Sequence, residues 1–215
     1  MKLTKFGTQP HVAICVPCRD MVHSLFAFNL LQLVQYCQYQ NIKINVLMQT
    51  GSLISRQRQN LAMSAIDAKA THILWLDSDM MYPVTVAETL LQHNQDIVAC
   101  NYSTRTEPLK GVAYKKIGDW ESWIRPDNVK PRLQEVAGVG MGCMLTATRV
   151  FSQLDKPYFE VSWVDDYSDF IGEDFYFCVV ARQAGYKVWI DTVLSREIKH
   201  IGIAEFDLTK ATGWT

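Results

Sequence analysis

The sequence has no strong imbalance of charge. Its 215 residues include 21 Lys and Arg against 22 Asp and Glu, a formal net charge of −1 at pH 7. A protein that binds nucleic acid needs a basic face to neutralise phosphates, so we expect no duplex nucleic acid as partner. Hydrophobic residues make up 48% of the chain and charged residues 20%. This composition is typical of a globular protein and excludes a disordered or fibrous chain.

Long apolar runs are also missing. No stretch reaches the roughly 20 residues that cross a bilayer, so we expect no transmembrane segment. The first residues, from Met1 to Gly7, are too polar for a secretory signal. We therefore expect a soluble protein of the cytoplasm.

The six cysteines form no disulfide framework and no zinc pattern. Cys15 and Cys18 have the spacing of a redox dithiol or of half a zinc site, but no second pair completes a metal site. A redox dithiol lies at a helix start, whereas Cys15 lies in an apolar strand pattern, so we expect an inert buried thiol. The other four stand singly in apolar stretches, as buried thiols do: Cys37, Cys100, Cys143 and Cys178.

Apolar runs and helical periods alternate over the first hundred residues. The pattern predicts strands at 11–17, 42–48, 73–76 and 97–100, separated by helices at 22–40, 56–68 and 86–93, with Ser55 capping the second helix. Such a series favours an α/β domain with a mostly parallel sheet covered by helices. We find no linker or repeat and expect residues 1–215 to form one domain.

The second half of the chain is less regular. Residues 101–131 mix turn residues and charges, and they predict a loop with a hairpin around 112–117. Trp120 and Trp123 in this loop are more simply explained as hydrophobic anchors than as a lid. Later patterns predict strands at 134–136, 144–147, 187–190 and around 194–198, and a helix from about Gly172 to just before Gly185.

Three short segments carry candidate chemistry. Asp77-Ser78-Asp79 follows a buried strand, where ligands of open α/β sheets gather, and two carboxylates there suit Mg²⁺ or Mn²⁺. A turn or a helix cap would explain the same pair, so the segment alone is weak. Glu173 and Asp174 begin a helix, which the helix dipole favours in any case, but a carboxylate fixed there can act as a general base. A lone His200 is weaker still.

In chain order these pieces resemble a GT-A-fold glycosyltransferase of the family-2 type. The resemblance runs from 11–19 to 200–202 and rests on four motifs in the right order. They are the segment 55–62 with Arg56 and Asn60, the Asp-x-Asp strand at 71–80, the glycine-rich 139–145 followed by 149–151, and Gly172-Glu173-Asp174 with His200 beyond it. The resemblance implies a single Rossmann-like domain, with a donor half at about 11–100 and an acceptor and catalytic half at about 101–203.

The resemblance also implies roles for these residues. Asp77, Asp79 and His200 would hold Mn²⁺ or Mg²⁺, Asp174 would be the general base, and Glu173 would orient it or share its role. An inverting transfer of a hexose from a nucleotide-diphosphate sugar, with UDP as the expected nucleotide, would follow. The remaining donor-side residues would be Pro17, Cys18, Arg19, Arg56, Asn60, Ser78, Gly140 and Gly142.

The candidate acceptor-binding residues are assigned from their residue types. Trp163, Asp165 and Asp166 combine an aromatic face with carboxylates, which suits a sugar acceptor, although the acceptor itself is not identified by the sequence. Glycan, lipid, protein and nucleic-acid base all remain open. A retaining enzyme would use the donor phosphate as base and leave Asp174 a binding role.

Three other functions compete with this interpretation. A HAD-like phosphatase also places Asp-x-Asp after a strand, but usually after the first strand, whereas two βα units precede Asp77 here. A thioredoxin-like protein would explain only Cys15 and Cys18. A non-catalytic module that binds nucleotide sugars or glycans on the same fold is the third alternative, and the presence of both Asp174 and His200 argues against it.

Overall fold

The computed structural model of the chain describes residues 9–105, 108–119, 121–124, 131–165 and 168–202. Its strands are β1 (His11–Cys18), β2 (Lys43–Thr50), β3 (His72–Leu76), β4 (Met80–Met81), β5 (Ile97–Ala99), β6 (Ala113–Tyr114), β7 (Leu133–Val136), β8 (Gly138–Val139), β9 (Cys143–Ala147), β10 (Ser162–Val164), β11 (Asp169–Ile171), β12 (Val188–Asp191) and β13 (Lys199–His200). Its α-helices are α1 (Ser24–Tyr39), α2 (Ile54–Asp67), α3 (Val86–Gln92) and α4 (Glu173–Gln183). Two 3-10 helices span Thr148–Gln153 and Leu194–Glu197.

Seven strands form the central sheet in the order β2-β1-β3-β9-β5-β12-β7. Strand β1 pairs in parallel with β2 and β3, and β12 pairs in parallel with β5. Strand β9 lies antiparallel between β3 and β5, and β7 lies antiparallel on β12. All strands but β7 and β9 therefore run in one direction, which confirms the predicted α/β class with a mostly parallel sheet.

Helices cover both faces of this sheet. One core layer joins alternate residues of β1 and β3, such as Val12 and Leu74, to α1 and α3. The other joins the intervening residues, such as Cys15 and Trp75, to α2 and α4. Strand β1 is buried along its whole length because it is central and covered twice, as its uninterrupted apolar run predicts.

The six cysteines are free and buried. Burial raises the pKa of the Cys15 thiol, which keeps it protonated and unreactive at neutral pH. The expectation of a buried free thiol inside a strand is therefore confirmed for Cys15.

The predicted strand around 194–198 is wrong. Asp191 ends β12, and its Oδ1 accepts hydrogen bonds from the backbone N–H groups of Val193 and Leu194, both at 2.9 Å. These bonds turn the chain into the 3-10 helix that spans Leu194–Glu197. Only afterwards does the chain extend as β13, which pairs antiparallel with β4.

The hairpin predicted around 112–117 is present. The backbone N–H of Lys115 donates to the carbonyl of Ser122 at 3.1 Å, that of Ile124 donates to the carbonyl of Ala113 at 2.7 Å, and Tyr114 forms an antiparallel bridge with Trp123. Strand β6 also pairs with the distant β8.

One smaller prediction differs from the structure. Ser55 does not cap α2, since the helix begins one residue earlier, at Ile54, after an N-cap at Leu53 that makes no side-chain hydrogen bond.

Among the described residues, no helix combines the length and the apolar character that a membrane crossing requires.

Candidate functional site

The Asp-x-Asp segment lies at the carboxyl end of β3. In open α/β sheets, ligands bind beyond the carboxyl ends of the strands. The backbone N–H of Asp77 donates to the carbonyl of Gly142 at 3.2 Å, which extends the β3–β9 pairing by one step. Asp77 and Asp79 are both partly exposed, with 25% and 29% of the side-chain surface accessible. The two carboxylates have different partners, and each partner comes from a different part of the chain.

Asp77 is bound by an arginine from the core face of α2. Arg58 donates from Nη2 to Asp77 Oδ1 at 2.9 Å and from Nε to Glu173 Oε1 at 3.0 Å. Its side chain is 2% exposed, and its guanidinium lies 5.9 Å from the centre of the Trp75 ring. One buried cation therefore joins the Asp-x-Asp segment to the start of α4.

Asp174 lies beside this cluster and is partly buried at the first turn of α4. Its Oδ1 accepts from the backbone N–H of Phe175 at 2.8 Å. Burial and the neighbouring charge of Glu173 raise the pKa of Asp174 to about 7, although the charge of Arg58 opposes the shift. A carboxyl with this pKa is half ionised near neutral pH, which suits a general base.

Asp79 faces His200 across the β4–β13 pair. Their Oδ1 and Nε2 atoms are 3.5 Å apart, and Arg105 donates to Asp79 Oδ2 at 2.6 Å. Burial disfavours the ionised carboxylate, but the hydrogen bond from His200 and the charge of Arg105 hold the pKa of Asp79 below its usual value. His200 Nδ1 lies 3.0 Å from the carbonyl of Ser103, which leaves Nε2 directed at Asp79.

The loop that carries His200 is braced by Asp191. Asp191 is fully buried, and its Oδ2 accepts from Arg132 and lies 2.7 Å from His93 Nε2. Within the turn that follows, Ser195 Oγ accepts from the backbone N–H of Asn101 at 2.8 Å. This contact ties the His200 loop to the segment that contains Ser103, whose carbonyl lies 3.0 Å from His200 Nδ1.

Two glycines of the predicted glycine-rich loop make room for a tyrosine. A Cβ atom at either Gly140 or Gly142 would lie 2.6 Å from Tyr102 Oη. That hydroxyl accepts from the backbone N–H of Gly142 at 2.9 Å. Burial and the charges of Asp77 and Asp174 raise the pKa of Tyr102 well above its usual value, so the phenol stays neutral. The absence of side chains at Gly140 and Gly142 therefore lets Tyr102 pack against this loop, near Asp77 and Asp174.

Replacing Gly140 by alanine is expected to destabilise the protein by about 1–3 kcal/mol, because the added methyl group overlaps the Tyr102 hydroxyl. Urea unfolding followed by circular dichroism measures the loss. Tyr102→Phe removes the overlapping oxygen and leaves the next contact, to Cζ, at 3.3 Å. The double variant should therefore lose less stability than the two single variants together. Additive losses would show that Tyr102 is not what excludes a side chain at 140.

A polar cavity of about 260 Å³ lies between the end of β2 and the start of α2. Gln57 donates to the carbonyl of Cys18 at 2.8 Å, and the backbone N–H of Gly51 lies within hydrogen-bond distance of the carbonyls of Cys18 and Arg19. The end of β1, where Pro17 and Cys18 are buried, therefore abuts this cavity. Its walls contain Gln49, Thr50, Gly51, Ser52, Leu53, Arg56, Gln57 and Asn60.

The predicted acceptor residues lie on the hairpin β10–β11, which leads directly into Gly172 and α4. Trp163 pairs across the strands with Phe170, and their ring centres are 5.1 Å apart. Both rings are more than half exposed, and Trp163 Nε1 donates to Asp165 at 2.8 Å. Asp166 lies outside the described residues.

The structure arranges the predicted residues in two groups: Arg58 joins Asp77 to Glu173, and Asp79 contacts His200. Asp174 follows Glu173 in the chain and is influenced by its charge. Within the described part of the chain, no three His, Cys, Asp or Glu side chains converge as a preformed metal site. The paired Asp79 oxygen and His200 nitrogen are nevertheless a donor set that a divalent cation accepts.

Sequence reasoning missed Arg58, Tyr102 and Arg105. Arg58 lies at the spacing of the buried face of α2, three and four residues before Leu61 and Ala62. A charged residue on an otherwise apolar helix face needs a partner, and that signal was available. For Tyr102 and Arg105 no sequence signal indicated the site, because their contacts depend on the path of an irregular loop.

Known proteins resemble this chain in fold. The Anp1 family model matches residues 32–138, close to half of the chain. The structure of A197 from STIV is similar, with a TM-score of 0.53 and 16% identity over 92% of this chain and 97% of that one. A mutant Drosophila β-1,4-galactosyltransferase 7, solved with manganese, UDP-Gal and xylobiose, has a TM-score of 0.53 and 16% identity over 90% of this chain and 71% of that one. No curated protein sequence matches the chain.

The fold is that of the GT-A glycosyltransferases. The predicted resemblance is therefore confirmed. In this GT-A fold, the Asp-x-Asp segment, the glycine-rich loop and the start of α4 meet at one edge of the sheet, as the order of the motifs indicated.

Proposed function

We propose that this protein is a metal-dependent glycosyltransferase that moves a sugar from a nucleotide-diphosphate donor, with UDP as the nucleotide, to an acceptor hydroxyl. The observation that carries the proposal is the convergence of Asp79 with His200 and of Asp77 with the α4 carboxylates at the carboxyl edge of the sheet. The comparisons support the same class of activity, because the galactosyltransferase neighbour holds manganese, UDP-Gal and xylobiose.

Asp79 and His200 would hold the cation, with Asp77 as the third candidate ligand. His200 suits this role because the Ser103 carbonyl engages Nδ1 and leaves Nε2 free to bind Mn²⁺ or Mg²⁺. When bound, the cation would supply positive charge to the leaving diphosphate. To bind the cation directly, Asp77 would have to give up or lengthen its hydrogen bond from Arg58. From its present position it would instead contact a water molecule of the coordination shell.

The nucleoside would occupy the polar cavity beside β2 and α2. Arg56 and Asn60 are one helical turn apart on the exposed side of α2, so both side chains border that cavity. Pro17, Cys18 and Arg19 would border the nucleoside at the end of β1, with the Cys18 carbonyl held by Gln57. Ser78, between the two aspartates, would contact the diphosphate of the donor.

Asp174 would act as the general base of an inverting displacement. It would take the proton of the acceptor hydroxyl while that oxygen forms a bond to the anomeric carbon and the nucleoside diphosphate leaves. Arg58 would hold Glu173 in place by its hydrogen bond, and Asp174, whose pKa of about 7 favours accepting a proton, would be the acceptor. Gly140 and Gly142 would hold Tyr102 against this region.

The acceptor would approach over the β10–β11 hairpin. Trp163 and Phe170 offer exposed rings on which a sugar can stack, and Asp165 offers a carboxylate for its hydroxyls. Asp166, predicted from the sequence, is a further candidate for acceptor binding. A glycan acceptor follows from this combination better than a lipid or an unglycosylated protein.

Thermal unfolding with nucleotides tests the donor site. We expect UDP with Mn²⁺ to raise the Tm by several degrees, because a ligand at about 100 times its Kd adds about 2.7 kcal/mol of stability. EDTA should abolish the shift, and so should Asp79→Ala. Asp67→Ala, which changes an exposed aspartate at the end of α2, is the matched control and should keep the full shift.

Two results would contradict the proposal. If no nucleoside diphosphate raises the Tm, there is no donor site, and phosphatase activity becomes the next assay. If UDP binds with Mn²⁺ but no UDP-sugar is turned over with any acceptor, the chain is a binding module on the same fold.

A further inference from the structure

The two carboxylates of the Asp-x-Asp segment are bound by arginines of very different exposure. Arg58, which binds Asp77, has 2% of its side-chain surface accessible, whereas Arg105, which binds Asp79, has 53%. A buried guanidinium cannot leave its carboxylate without leaving an unpaired charge in the interior. An exposed one can move into solvent, because water then replaces the lost ion pair. Asp79 is therefore the carboxylate whose arginine can be exchanged for another cation.

The position of Arg105 at Asp79 is set by the backbone around it. The N–H of Thr104 donates to the Lys110 carbonyl at 2.8 Å, and the N–H of Lys110 donates to Thr104 Oγ1 at 3.1 Å. The aliphatic part of the Arg105 side chain lies near Gly202, where an added Cβ atom would be 3.8 Å from Cδ. The path of the backbone, rather than burial of its own side chain, therefore directs Arg105 at Asp79.

Each oxygen of the Asp79 carboxylate has a partner. His200 Nε2 lies 3.5 Å from Oδ1, and Arg105 Nη1 donates to Oδ2 at 2.6 Å. The backbone carbonyl of Asp79 accepts from the N–H of Ile201 at 2.7 Å, which fixes the backbone beneath the carboxylate independently of both side-chain partners. A divalent cation that binds Asp79 and His200 would meet the positive charge of Arg105 at close range, where like charges repel. The cation and Arg105 therefore compete for Asp79.

A guanidinium displaced from Asp79 would remain close to the donor. The phosphates of a nucleotide accompany the cation that they coordinate, and the planar fork of arginine matches phosphate oxygens in geometry and in charge. We propose that Arg105 is the counter-ion of Asp79 that a divalent cation displaces, and that the released guanidinium then binds the diphosphate of the donor. This role rests on the proposed function and adds to it a residue that responds to the cation and to the diphosphate in turn.

Titration with Mn²⁺ in the absence of nucleotide tests the competition, and electron paramagnetic resonance measures the free Mn²⁺. Arg105→Gln should lower the Kd for Mn²⁺ by about two- to fivefold, because an exposed ion pair is weak but must be broken in the wild type. Arg149→Gln is the matched control. Arg149 also forms an ion pair of 2.6 Å, with Asp96, at similar exposure but at the opposite edge of the sheet. Its Kd should equal that of the wild type.

A second control separates the contact with Asp79 from the loss of a nearby charge. Lys199 is exposed and precedes His200 in β13, where successive side chains point to opposite faces of the strand. Lys199→Gln should therefore change the Kd for Mn²⁺ by less than about twofold. An equal gain in affinity for Lys199→Gln and Arg105→Gln would show that the summed charge of the region, and not the Arg105 contact, opposes the cation.

Calorimetric titration with UDP at saturating Mn²⁺ tests the second half of the exchange. Here Arg105→Gln should raise the Kd for UDP by about fivefold or more, because the diphosphate loses a charged hydrogen-bond donor. Effects of opposite sign on Mn²⁺ and on UDP are the signature of the exchange, since a variant with a disturbed loop would bind both more weakly. Arg105→Lys keeps the charge without the fork, so both of its Kd values should lie between those of the wild type and Arg105→Gln.

The variants and the wild type report different failures. Unchanged or weaker Mn²⁺ binding by Arg105→Gln, or unchanged or tighter UDP binding, would overturn the role of Arg105 and leave the donor site of the wild type intact. A wild type that fails to bind either Mn²⁺ or UDP would instead refute the proposed function, and the role of Arg105 with it.

Discussion

Asp174→Asn is expected to lower kcat by about 10²–10⁴ while the protein still binds the donor, since loss of a general base slows proton transfer without removing a donor contact. Asparagine keeps the shape of the side chain and its hydrogen bond from the Phe175 N–H, so the start of α4 should be unchanged. Steady-state kinetics with a UDP-sugar measure kcat, and the nucleotide-induced shift in Tm measures donor binding. Asp155→Asn, at an exposed aspartate, is the matched control.

The pH dependence adds a second signature of the same residue. Because the pKa of Asp174 is about 7, kcat/KM of the wild type should fall as the pH decreases below about 7. A pH profile that is flat between 5 and 8, or an asparagine variant of full activity, would show that Asp174 is not the base and would favour a retaining reaction.

Stability should respond to pH with the opposite sign. The pKa of Asp174 is raised on folding, so the folded state holds a proton that the unfolded chain has lost between about pH 4 and pH 7. The wild type therefore loses stability as the pH rises through this window, and the loss is complete above about 7. Asp174→Asn lacks this loss. The difference in free energy of unfolding, variant minus wild type, should therefore be larger at pH 8 than at pH 4. Urea unfolding at the two pH values measures it.

Arg58→Ala should be among the most destabilising single substitutions of this chain, at about 3 kcal/mol or more. The change leaves the buried Glu173 and the partly buried Asp77 without their shared cation, and it removes a guanidinium packed near Trp75. Urea unfolding measures the loss. Arg56→Ala, two residues away on the exposed side of the same helix, should change the free energy of unfolding by less than about 0.5 kcal/mol.

A double variant separates charge from packing at Arg58. Glu173→Gln in the Arg58→Ala background removes one of the two unpaired carboxylates, and it should recover part of the lost stability. Arg58→Ala should also abolish the Tm shift by UDP with Mn²⁺, because Asp77 then lacks the contact that orients it. Equal losses for Arg58→Ala and Arg56→Ala would refute the assigned role of the buried cation.

The strands and helices of the first hundred residues follow from the sequence because their apolar periods are long. The run at 11–17 and the helical period at 22–40 correspond closely to β1 and α1. Asp77 directly follows a buried strand, and Asp174 directly follows a helix start, so local pattern was enough to place both at the edge of the sheet. The four motifs in order then indicated the GT-A fold.

Local pattern fails where a long-range contact decides the conformation. The segment at 194–198 is predicted as a strand, but Asp191 accepts hydrogen bonds from two backbone N–H groups, and the chain forms a 3-10 helix instead. The pairing of β13 with β4 brings His200 to Asp79, and no spacing between residues 79 and 200 encodes that contact. His200 could be a candidate from the sequence only through the resemblance.

The sequence by itself determined the strands and helices of the first hundred residues and the edge of the sheet at which the candidate residues Asp77 and Asp174 emerge, because hydrophobic periodicity and strand ends are local properties. Only the tertiary structure decided how those residues are paired. The insertion of β9 between β3 and β5 places Gly142 beside Asp77, and the burial of Arg58 sets Asp77 and Asp79 on separate partners. Such pairings are contacts between polar groups that are far apart in the chain. They form only in the folded protein, where the low dielectric of the interior strengthens them.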